Sequence, residues 1–128
     1  MKNFFKTRVF AFRYAFAGWW HVIRTQRNAW IHAVISVAVF IVGFWLHLER
    51  LEWAMIIFAV ALVWLAEFAN TALESVVDLA SPQRHPLAKV GKDVGAAGVL
   101  IAAIASVLIG LLVLGPPLWE KITTIFGW

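Results

Sequence analysis

The sequence predicts an all-α integral membrane protein with an N-terminal amphipathic surface helix and three transmembrane helices. Of its 128 residues, 62% are hydrophobic and 14% are charged, which is about half the charged fraction of a soluble domain. The mean hydropathy is +0.82. Three apolar segments are long enough to enter or cross the hydrocarbon core of a bilayer. The length allows one domain, so residues 1–128 are predicted to form a single membrane domain.

Residues 1–28 are predicted to form one amphipathic helix on the membrane surface. At helical spacing an arc of about 100° holds seven large apolar side chains, and cations lie along one edge of that arc. The seven are Phe5, Val9, Phe12, Phe16, Trp19, Trp20 and Ile23. The segment contains no acid and six of the eleven cations, which are Lys2, Lys6, Arg8, Arg13, Arg24 and Arg27. Cations interleaved with large aromatic residues favour an anionic lipid surface over nucleic acid, which is not expected to be a partner. A signal peptide is disfavoured because Arg13 interrupts the apolar stretch.

The first transmembrane helix is predicted at 31–48, an apolar run with His32 near one end and His47 near the other. Its length is about sufficient to cross the hydrocarbon core. Residues 49–52 are predicted to form a short polar turn. The second transmembrane helix, 53–79, begins with an apolar stretch and ends with polar residues, so it starts in lipid and ends in water.

A loop is predicted at 80–91, because this segment opens with a cluster of serine and proline residues. The third transmembrane helix, 92–115, is the clearest span, since Ser106 is its only polar side chain after the first two residues. The adjacent Pro116 and Pro117 are predicted to end this helix, and the short tail beyond them is expected to fray.

The distribution of cations predicts the orientation in the membrane. Six cations precede the first span, one lies in the first turn, three lie between the second and third spans, and one follows the third. The positive-inside rule therefore places the N-terminus and the 80–91 loop in the cytoplasm, and the 49–52 turn and the C-terminus outside.

Small residues mark the third helix as a packing surface. Gly91 and Gly95 form a GxxxG pattern, which Gly98 and two alanines continue. The pattern favours close helix packing, either within one chain or between chains.

Four polar residues of the second helix form one stripe. Glu67, Asn70, Glu74 and Asp78 fall within about 80° of one helical face. Glu67 directly follows an apolar run, and ionisable groups at membrane depth are usually functional. It lies about 10 Å from Glu74 along the helix axis. That separation suits a deep carboxylate that handles a lipid-borne group and shallower groups that hold Mg²⁺ on phosphates.

Common catalytic templates are absent from the sequence. It has no GxxxxGK[ST], GxGxxG or HExxH motif. It has no cysteine, which excludes disulfides, thiol catalysis and cysteine-type metal sites. The four histidines are too scattered to predict a zinc site and are interpreted as ordinary polar residues; His85, in the predicted cytoplasmic loop, is the one worth testing.

The stripe Glu67-Phe-Ala-Asn70-Thr71-Ala-Leu-Glu74-Ser-Val-Val-Asp78 resembles the signature of the prokaryotic diacylglycerol kinase family, small trimeric lipid kinases of the membrane. The segments Ser81-Pro82 to His85-Pro86-Leu87-Ala88-Lys89 and Lys92-Asp93-Val94-Gly95-Ala96-Ala97 resemble the same family, as do Arg27-Asn28 and Ile31-His32. The resemblance covers about residues 12–114 and is stronger to the undecaprenol kinase branch than to the diacylglycerol branch.

The resemblance implies a role for each matching position. Glu67 resembles the general base and Glu74 a metal ligand. The surrounding site, expected to bind the nucleotide, comprises Asn70, Asp78, His85, Lys92 and Asp93. Relatives commonly carry a second metal-binding glutamate where this chain has Gln26, so the metal affinity or ligand count is expected to differ. Trp30 similarly replaces what is often an arginine.

The resemblance also implies the reaction and the partners. The expected activity is transfer of the γ-phosphate of ATP, with Mg²⁺, to the hydroxyl of a lipid alcohol, either undecaprenol or diacylglycerol. The expected assembly is a homotrimer whose sites are shared between neighbours. The expected location is the bacterial inner membrane, as a multi-pass protein with its N-terminus and active site on the cytoplasmic side.

Two other functions are compatible with parts of the sequence. An ion or proton pathway would use Glu67 and Asn70 to line a conduit. The first predicted span and residues 94–115 of the third contain no acid, however, so the polar stripe would end on one side of the membrane. A structural membrane peptide would explain the composition but not the acids on a single face.

Overall fold

The computed structural model describes residues 2–127, with side chains from residue 10 onward, and contains four α-helices and no strand within that range. The helices are α1 (Lys2–Thr25), α2 (Arg27–Leu46), α3 (Arg50–Ala80) and α4 (Pro86–Phe126). The last three are long and apolar enough to cross a membrane. The predicted all-α architecture with three candidate spans is therefore confirmed.

A single extended residue separates α1 from α2. Gln26 has φ −100° and ψ 116°, although its backbone N–H still donates to Val22 O at 2.9 Å. The predicted surface helix continued to residue 28, but α2 already begins at Arg27. The sequence carries no proline or glycine at this break to indicate it. The side chain of Gln26 is brought to the junction of the two helices as a result.

α1 packs against α3 through aromatic rings. Trp19 stacks on Trp64 with ring centroids 4.9 Å apart, and its ring centroid lies 6.0 Å from that of Phe68. The Trp64 indole N–H in turn donates to Ser36 Oγ on α2 at 3.2 Å. These contacts fix three helices around the turn of α3 that contains Glu67.

The turn between α2 and α3 is shorter and earlier than the predicted 49–52. His47 adopts the left-handed conformation with φ 58° and ends α2. Glu49 then caps α3: its side chain accepts from the backbone of Glu52, whose own carboxylate accepts from the Glu49 N–H at 2.8 Å. This reciprocal capping places Arg50 inside the first turn of α3.

The loop between α3 and α4 is also shorter than the predicted 80–91, because α4 begins at Pro86. Proline at the first helical position loses no hydrogen bond, since that N–H has no partner within the helix anyway, and its φ already suits a helix. His85 caps the helix through Nδ1, which accepts from the Leu87 N–H at 3.2 Å. The sequence signal interpreted as a helix breaker is thus a helix start.

The prediction that Pro116 and Pro117 end the third span is wrong, since α4 runs through both to Phe126. Each proline removes one N–H and crowds the carbonyl four residues earlier, but its φ is compatible with a helix. Leu118, just past the pair, packs against the buried cluster of Leu46, Leu48, Ile56 and Val113. Further on, the Lys121 ammonium lies 5.4 Å from the centroid of the Trp45 ring. Packing on both sides of the prolines therefore maintains the helix.

The most extensive helix contact is between α3 and α4. Ala59 on α3 and Ala102 on α4 are buried, and Ser106 Oγ donates to Ala59 O at 2.8 Å. The apolar cluster lies at the end of the bundle near the α2–α3 turn. The polar buried residues of α3 lie towards the opposite end, which is where the candidate site is found.

Candidate active site

The predicted stripe on α3 runs from a buried end to an exposed end. Glu67 is 1% exposed and Asn70 9% exposed, whereas Glu74 is half-buried and Asp78 is exposed. The order follows the helix axis from the apolar middle of α3 towards the α3–α4 loop. This increase in exposure from Glu67 to Asp78 agrees with the sequence prediction that Glu67 lies deepest in the membrane.

Glu67 presents a buried carboxylate oxygen that has no hydrogen-bond partner. Its Oε2 is one of two such buried side-chain atoms in the described part of the chain. The imidazole of His32 on α2 faces this oxygen, and its Nε2 lies 4.0 Å from Glu67 Oε2. That distance exceeds hydrogen-bond length. The oxygen is therefore available to accept a proton from a bound group.

Two amides contact the carboxylate of Glu74. Asn70 Nδ2 donates to Glu74 Oε1 at 3.2 Å, and Gln26 Nε2 donates to Glu74 Oε2 at 3.4 Å. The extended backbone of Gln26 brings its side chain to α3 across 48 positions of sequence. Gln26 therefore faces Glu74, the carboxylate that the family resemblance implies is a metal ligand. Sequence spacing alone does not predict this contact.

Asn70 also lies against Gly95 of α4. Its Oδ1 is buried without a hydrogen-bond partner, and a Cβ built on Gly95 would collide with this oxygen and come within 3.0 Å of Leu73. A larger residue at this position would have to displace α4 or the side chains of Asn70 and Leu73. Gly91 lies on the same face, where a Cβ would meet Val77 at 3.7 Å. The GxxxG pattern thus serves packing within the chain.

Two ion pairs line the polar end of the site. Lys92 Nζ lies 2.6 Å from Asp78 Oδ1, which joins α4 to α3, and Lys89 Nζ lies 2.5 Å from Asp93 Oδ2 within α4. These residues border an open cleft of about 650 Å³, which Arg84 and His85 also line. Asp78, Lys92 and Asp93 therefore border one cleft between the end of α3 and the start of α4. The arrangement offers cations to a phosphate-bearing ligand.

The donor set at Glu74 suits a hard cation. The described part of the chain holds no cluster of three His, Cys, Asp or Glu side chains that would form a complete metal site. Glu74 supplies one carboxylate, and Asn70 and Gln26 supply amide groups beside it. Mg²⁺ is commonly held by one or two carboxylates together with substrate phosphates and waters. The residues present therefore fit Mg²⁺ that arrives with a phosphate ligand.

Sequence reasoning did not predict that His32 lies beside Glu67, and it gave more weight to His85. His85 performs a local task, capping α4, although it also borders the cleft. His32 faces Glu67 from another helix, 35 positions away in sequence, so no spacing rule relates the two. The signal that was available is its place as an ionisable residue near the end of an apolar span.

Comparison with known proteins identifies similar chains. The family described as Prokaryotic diacylglycerol kinase matches residues 13–114. The chain is 49% identical over 109 residues to a protein of Synechocystis sp. named diacylglycerol kinase, covering 84% of this chain but only 62% of that relative, less than two thirds of its length. It is 41% identical over 118 residues to the undecaprenol kinase of Bacillus subtilis, covering 92% of this chain and 93% of the relative.

A third relative is more distant. The diacylglycerol kinase of Escherichia coli K12 is 34% identical over 89 residues, covering 64% of this chain and 73% of the relative. All three relatives are thus named diacylglycerol kinase or undecaprenol kinase. The alternative of an ion or proton pathway receives no support from them.

Proposed function

The chain belongs to the prokaryotic diacylglycerol kinase family, and on this premise we propose that it is a membrane lipid kinase that transfers the γ-phosphate of ATP to the hydroxyl of a lipid alcohol. The observation that carries the proposal is the buried, unpartnered carboxylate oxygen of Glu67 within a membrane-spanning helix. Glu74 lies further along the same helix. The open cleft lies beyond it, between the end of α3 and the start of α4. Transfer of phosphate from ATP to a lipid requires a base at membrane depth, where the lipid hydroxyl lies, and a phosphate site nearer the water.

Glu67 is the general base in this proposal. A lipid alcohol is a poor nucleophile, and phosphoryl transfer needs its oxygen held in line with the γ-phosphate while its proton is accepted. Glu67 is the deepest acid of the stripe, and its Oε2 has no competing donor. Among the acids of α3 it is therefore the one best placed to meet a hydroxyl anchored in lipid.

The triphosphate occupies the cleft between the end of α3 and the start of α4. Lys92 supplies a positive charge there and is held by Asp78, while Asp93 is paired with Lys89. His85 lies at the same edge, where α4 begins. Arg84 adds a further cation from the loop. These side chains bind and orient the phosphates.

Glu74 holds Mg²⁺ in this proposal, and Gln26 and Asn70 position its carboxylate. When bound, Mg²⁺ neutralises charge on the phosphates and helps to align them for transfer. Because Gln26 is a neutral amide in place of a second acid, the chain contributes less negative charge to the cation. A comparatively high Mg²⁺ requirement follows from this substitution.

The acceptor is a long-chain lipid alcohol. The relatives are named for two different acceptors, diacylglycerol and undecaprenol. The 92% coverage by the undecaprenol kinase, together with the resemblance of the loop and α4 segments to that branch, supports undecaprenol as the first candidate. Diacylglycerol remains the second candidate because of the higher identity to the Synechocystis relative.

The protein is a bacterial-type membrane protein, and we place it in the inner membrane with its N-terminus and active site in the cytoplasm. The six cations before the first span and the three between the second and third spans support this orientation. ATP is also available on that side. Exposed aromatic residues of α1, including Phe12, Phe16 and Trp20, support a position of this helix at the lipid surface.

We further propose that the protein forms a homotrimer with sites shared between neighbours, as the family resemblance implies. On α4, Gly98 is exposed, and a Cβ built on it would have no neighbour within 4 Å. A small residue on an open helix face allows close approach of another helix in the membrane. This supports association between chains on that face of α4.

The experiment that tests the proposed function is transfer of radiolabel from [γ-³²P]ATP into extracted lipid by the purified protein. Undecaprenol and dioctanoylglycerol serve as acceptors in parallel mixed micelles with Mg²⁺. Phosphorylation of either lipid is expected, and Glu67→Gln serves as the inactive control. Absence of label in both lipids, with protein that is folded in the same micelles, would contradict the proposal.

A further inference from the structure

A narrow groove runs between α2, α3 and α4 and ends near Glu67. It encloses about 390 Å³ and is lined almost entirely by aliphatic side chains. Its polar lining consists of His32, Ser36 and Ser106. On α4 the lining extends from Ala103 to Leu118, about 22 Å along the helix axis. The groove therefore follows the bundle through much of the hydrocarbon depth.

The two serine hydroxyls in the groove are already engaged. Ser36 Oγ donates to His32 O at 2.6 Å and accepts from the Trp64 indole N–H at 3.2 Å. Ser106 Oγ donates to Ala59 O at 2.8 Å. Among the described residues that line the groove, His32 is the only titratable one. Its imidazole is thus the polar group with which a ligand in the groove can interact.

The same imidazole faces the catalytic carboxylate across a gap. His32 Nε2 and Glu67 Oε2 are 4.0 Å apart, too far for a direct hydrogen bond. An oxygen atom about 2.8 Å from each of them would bridge the gap with two ordinary hydrogen bonds. Glu67 Oε2 is buried and lacks a partner, which is a costly state for a polar atom unless a ligand completes it.

We propose that His32 is a second catalytic residue, which holds the acceptor hydroxyl together with Glu67 while the hydrocarbon chain of the acceptor lies in the α2–α3–α4 groove. The inference rests on the proposed function and adds the acceptor site to it. His32 Nε2–H donates to the hydroxyl oxygen, and the hydroxyl hydrogen is donated to Glu67 Oε2. His32 is the residue that both lines the groove and faces Glu67, so the hydroxyl is expected where the groove meets the carboxylate.

The roles of the two residues in the transfer differ. The hydroxyl oxygen forms a bond to the γ-phosphorus of ATP while the bond from that phosphorus to the β,γ-bridging oxygen breaks, and ADP leaves with that oxygen. The hydroxyl proton passes to Glu67 Oε2 and is released to water after the products leave. His32 keeps its proton throughout. Its N–H fixes the oxygen so that one lone pair points at the phosphorus.

The test compares two variants that separate a hydrogen-bond donor from mere bulk. His32→Leu removes the donor, whereas His32→Gln keeps an N–H at a similar reach. The purified full-length proteins are assayed in mixed micelles with whichever of undecaprenol or dioctanoylglycerol the wild type phosphorylates better. His21→Leu is the matched control, since His21 is exposed on α1 and outside the site.

We expect His32→Leu to lose about 100-fold in kcat/KM for the acceptor, with the KM for MgATP changed less than about threefold. His32→Gln should recover at least tenfold over His32→Leu, and His21→Leu should match wild type. Activity of His32→Leu within threefold of wild type would overturn the proposal, as would equal loss in folded His32→Gln and His32→Leu. If the wild type phosphorylates neither lipid, the proposed function itself has failed, which is a distinguishable result.

A measurement on the wild type does not depend on how the variants fold. ¹⁵N NMR of the labelled imidazoles should show a shift of the His32 Nε2 signal on addition of the acceptor alcohol. The same lipid with its hydroxyl replaced by hydrogen should leave this signal unchanged. Identical shifts with both lipids, or no shift with either at saturating concentration, would overturn the contact between His32 and the hydroxyl.

Discussion

Gln26 Nε2 lies 3.4 Å from Glu74 Oε2, so the residue at the break between α1 and α2 contacts a carboxylate of α3. The contact joins the surface helix to the stripe that runs from Glu67 to Asp78. It also means that a change at Gln26 acts directly on Glu74. The first prediction uses this relationship.

We predict opposite effects on the Mg²⁺ requirement from substitutions at these two positions. Glu74→Gln removes the carboxylate, so it should raise the Mg²⁺ concentration for half-maximal activity or abolish turnover while leaving a folded membrane protein. Gln26→Glu adds an acid beside Glu74 and should lower that concentration. Mg²⁺ titrations of the lipid phosphorylation rate at saturating ATP provide the measurement. Unchanged Mg²⁺ dependence in both variants would show that the cation is held elsewhere.

The second prediction concerns the contact between α3 and α4. Gly95→Ala places a methyl group against Asn70 Oδ1 and Leu73, so either α4 or the side chain of Asn70 must shift, and Asn70 loses its position beside Glu74. Gly91→Ala is the matched control on the same helix face, since its Cβ would make an ordinary contact with Val77 at 3.7 Å. Both substitutions gain the same helix propensity. We expect Gly95→Ala to be less stable than Gly91→Ala by about 1–3 kcal/mol.

Unfolding of both variants in detergent, followed by circular dichroism, measures this difference, and lipid phosphorylation by the same samples should fall only for Gly95→Ala. Equal stability and equal activity of the two variants would show that the close approach at Gly95 is not needed for the site.

The third prediction is the topology. The chain has no cysteine, so single-cysteine variants report unambiguously on sidedness. Arg50→Cys and Thr124→Cys, both at exposed positions, should react with an impermeant maleimide added to intact cells whose inner membrane is sealed. Gln83→Cys, in the α3–α4 loop, should react only after the membrane is permeabilised. Labelling of all three from the same side would contradict the three-span arrangement.

The sequence predicts the helical architecture well because its signals are local. Apolar runs set the spans, and the four residues from Glu67 to Asp78 fall on one face by helical spacing alone. The exact ends of the helices were less predictable. Pro86 starts a helix because His85 caps it, and Pro116 lies within a helix because packing on either side maintains it. Proline is compatible with a helix start and, where packing supports it, with a helix interior. Which of the two it occupies depends on its neighbours in space.

The contacts between helices could not be predicted, since they depend on how helices distant in sequence come together. Gln26 contacts Glu74, and His32 faces Glu67, only after α1, α2 and α3 have packed. Spacing alone predicted that the acids of α3 share one helical face and become more exposed towards its end. Composition and spacing gave no reason to prefer His32 over the other histidines, because its partner lies on another helix.

The last prediction tests the central claim, that Glu67 is the base that accepts the proton of the lipid hydroxyl. Glu67→Gln keeps the shape and the hydrogen-bonding groups of the side chain but removes its basicity. The decisive measurement compares turnover with MgATP affinity for this variant and wild type in one detergent preparation. We predict a loss of about 10²–10⁴-fold in kcat, with MgATP affinity within threefold of wild type because Glu74, Asp78 and Lys92 are unchanged. Turnover near that of wild type would contradict the assignment, and a loss of nucleotide affinity as large as the loss in kcat would show that Glu67 acts in binding and not as the base.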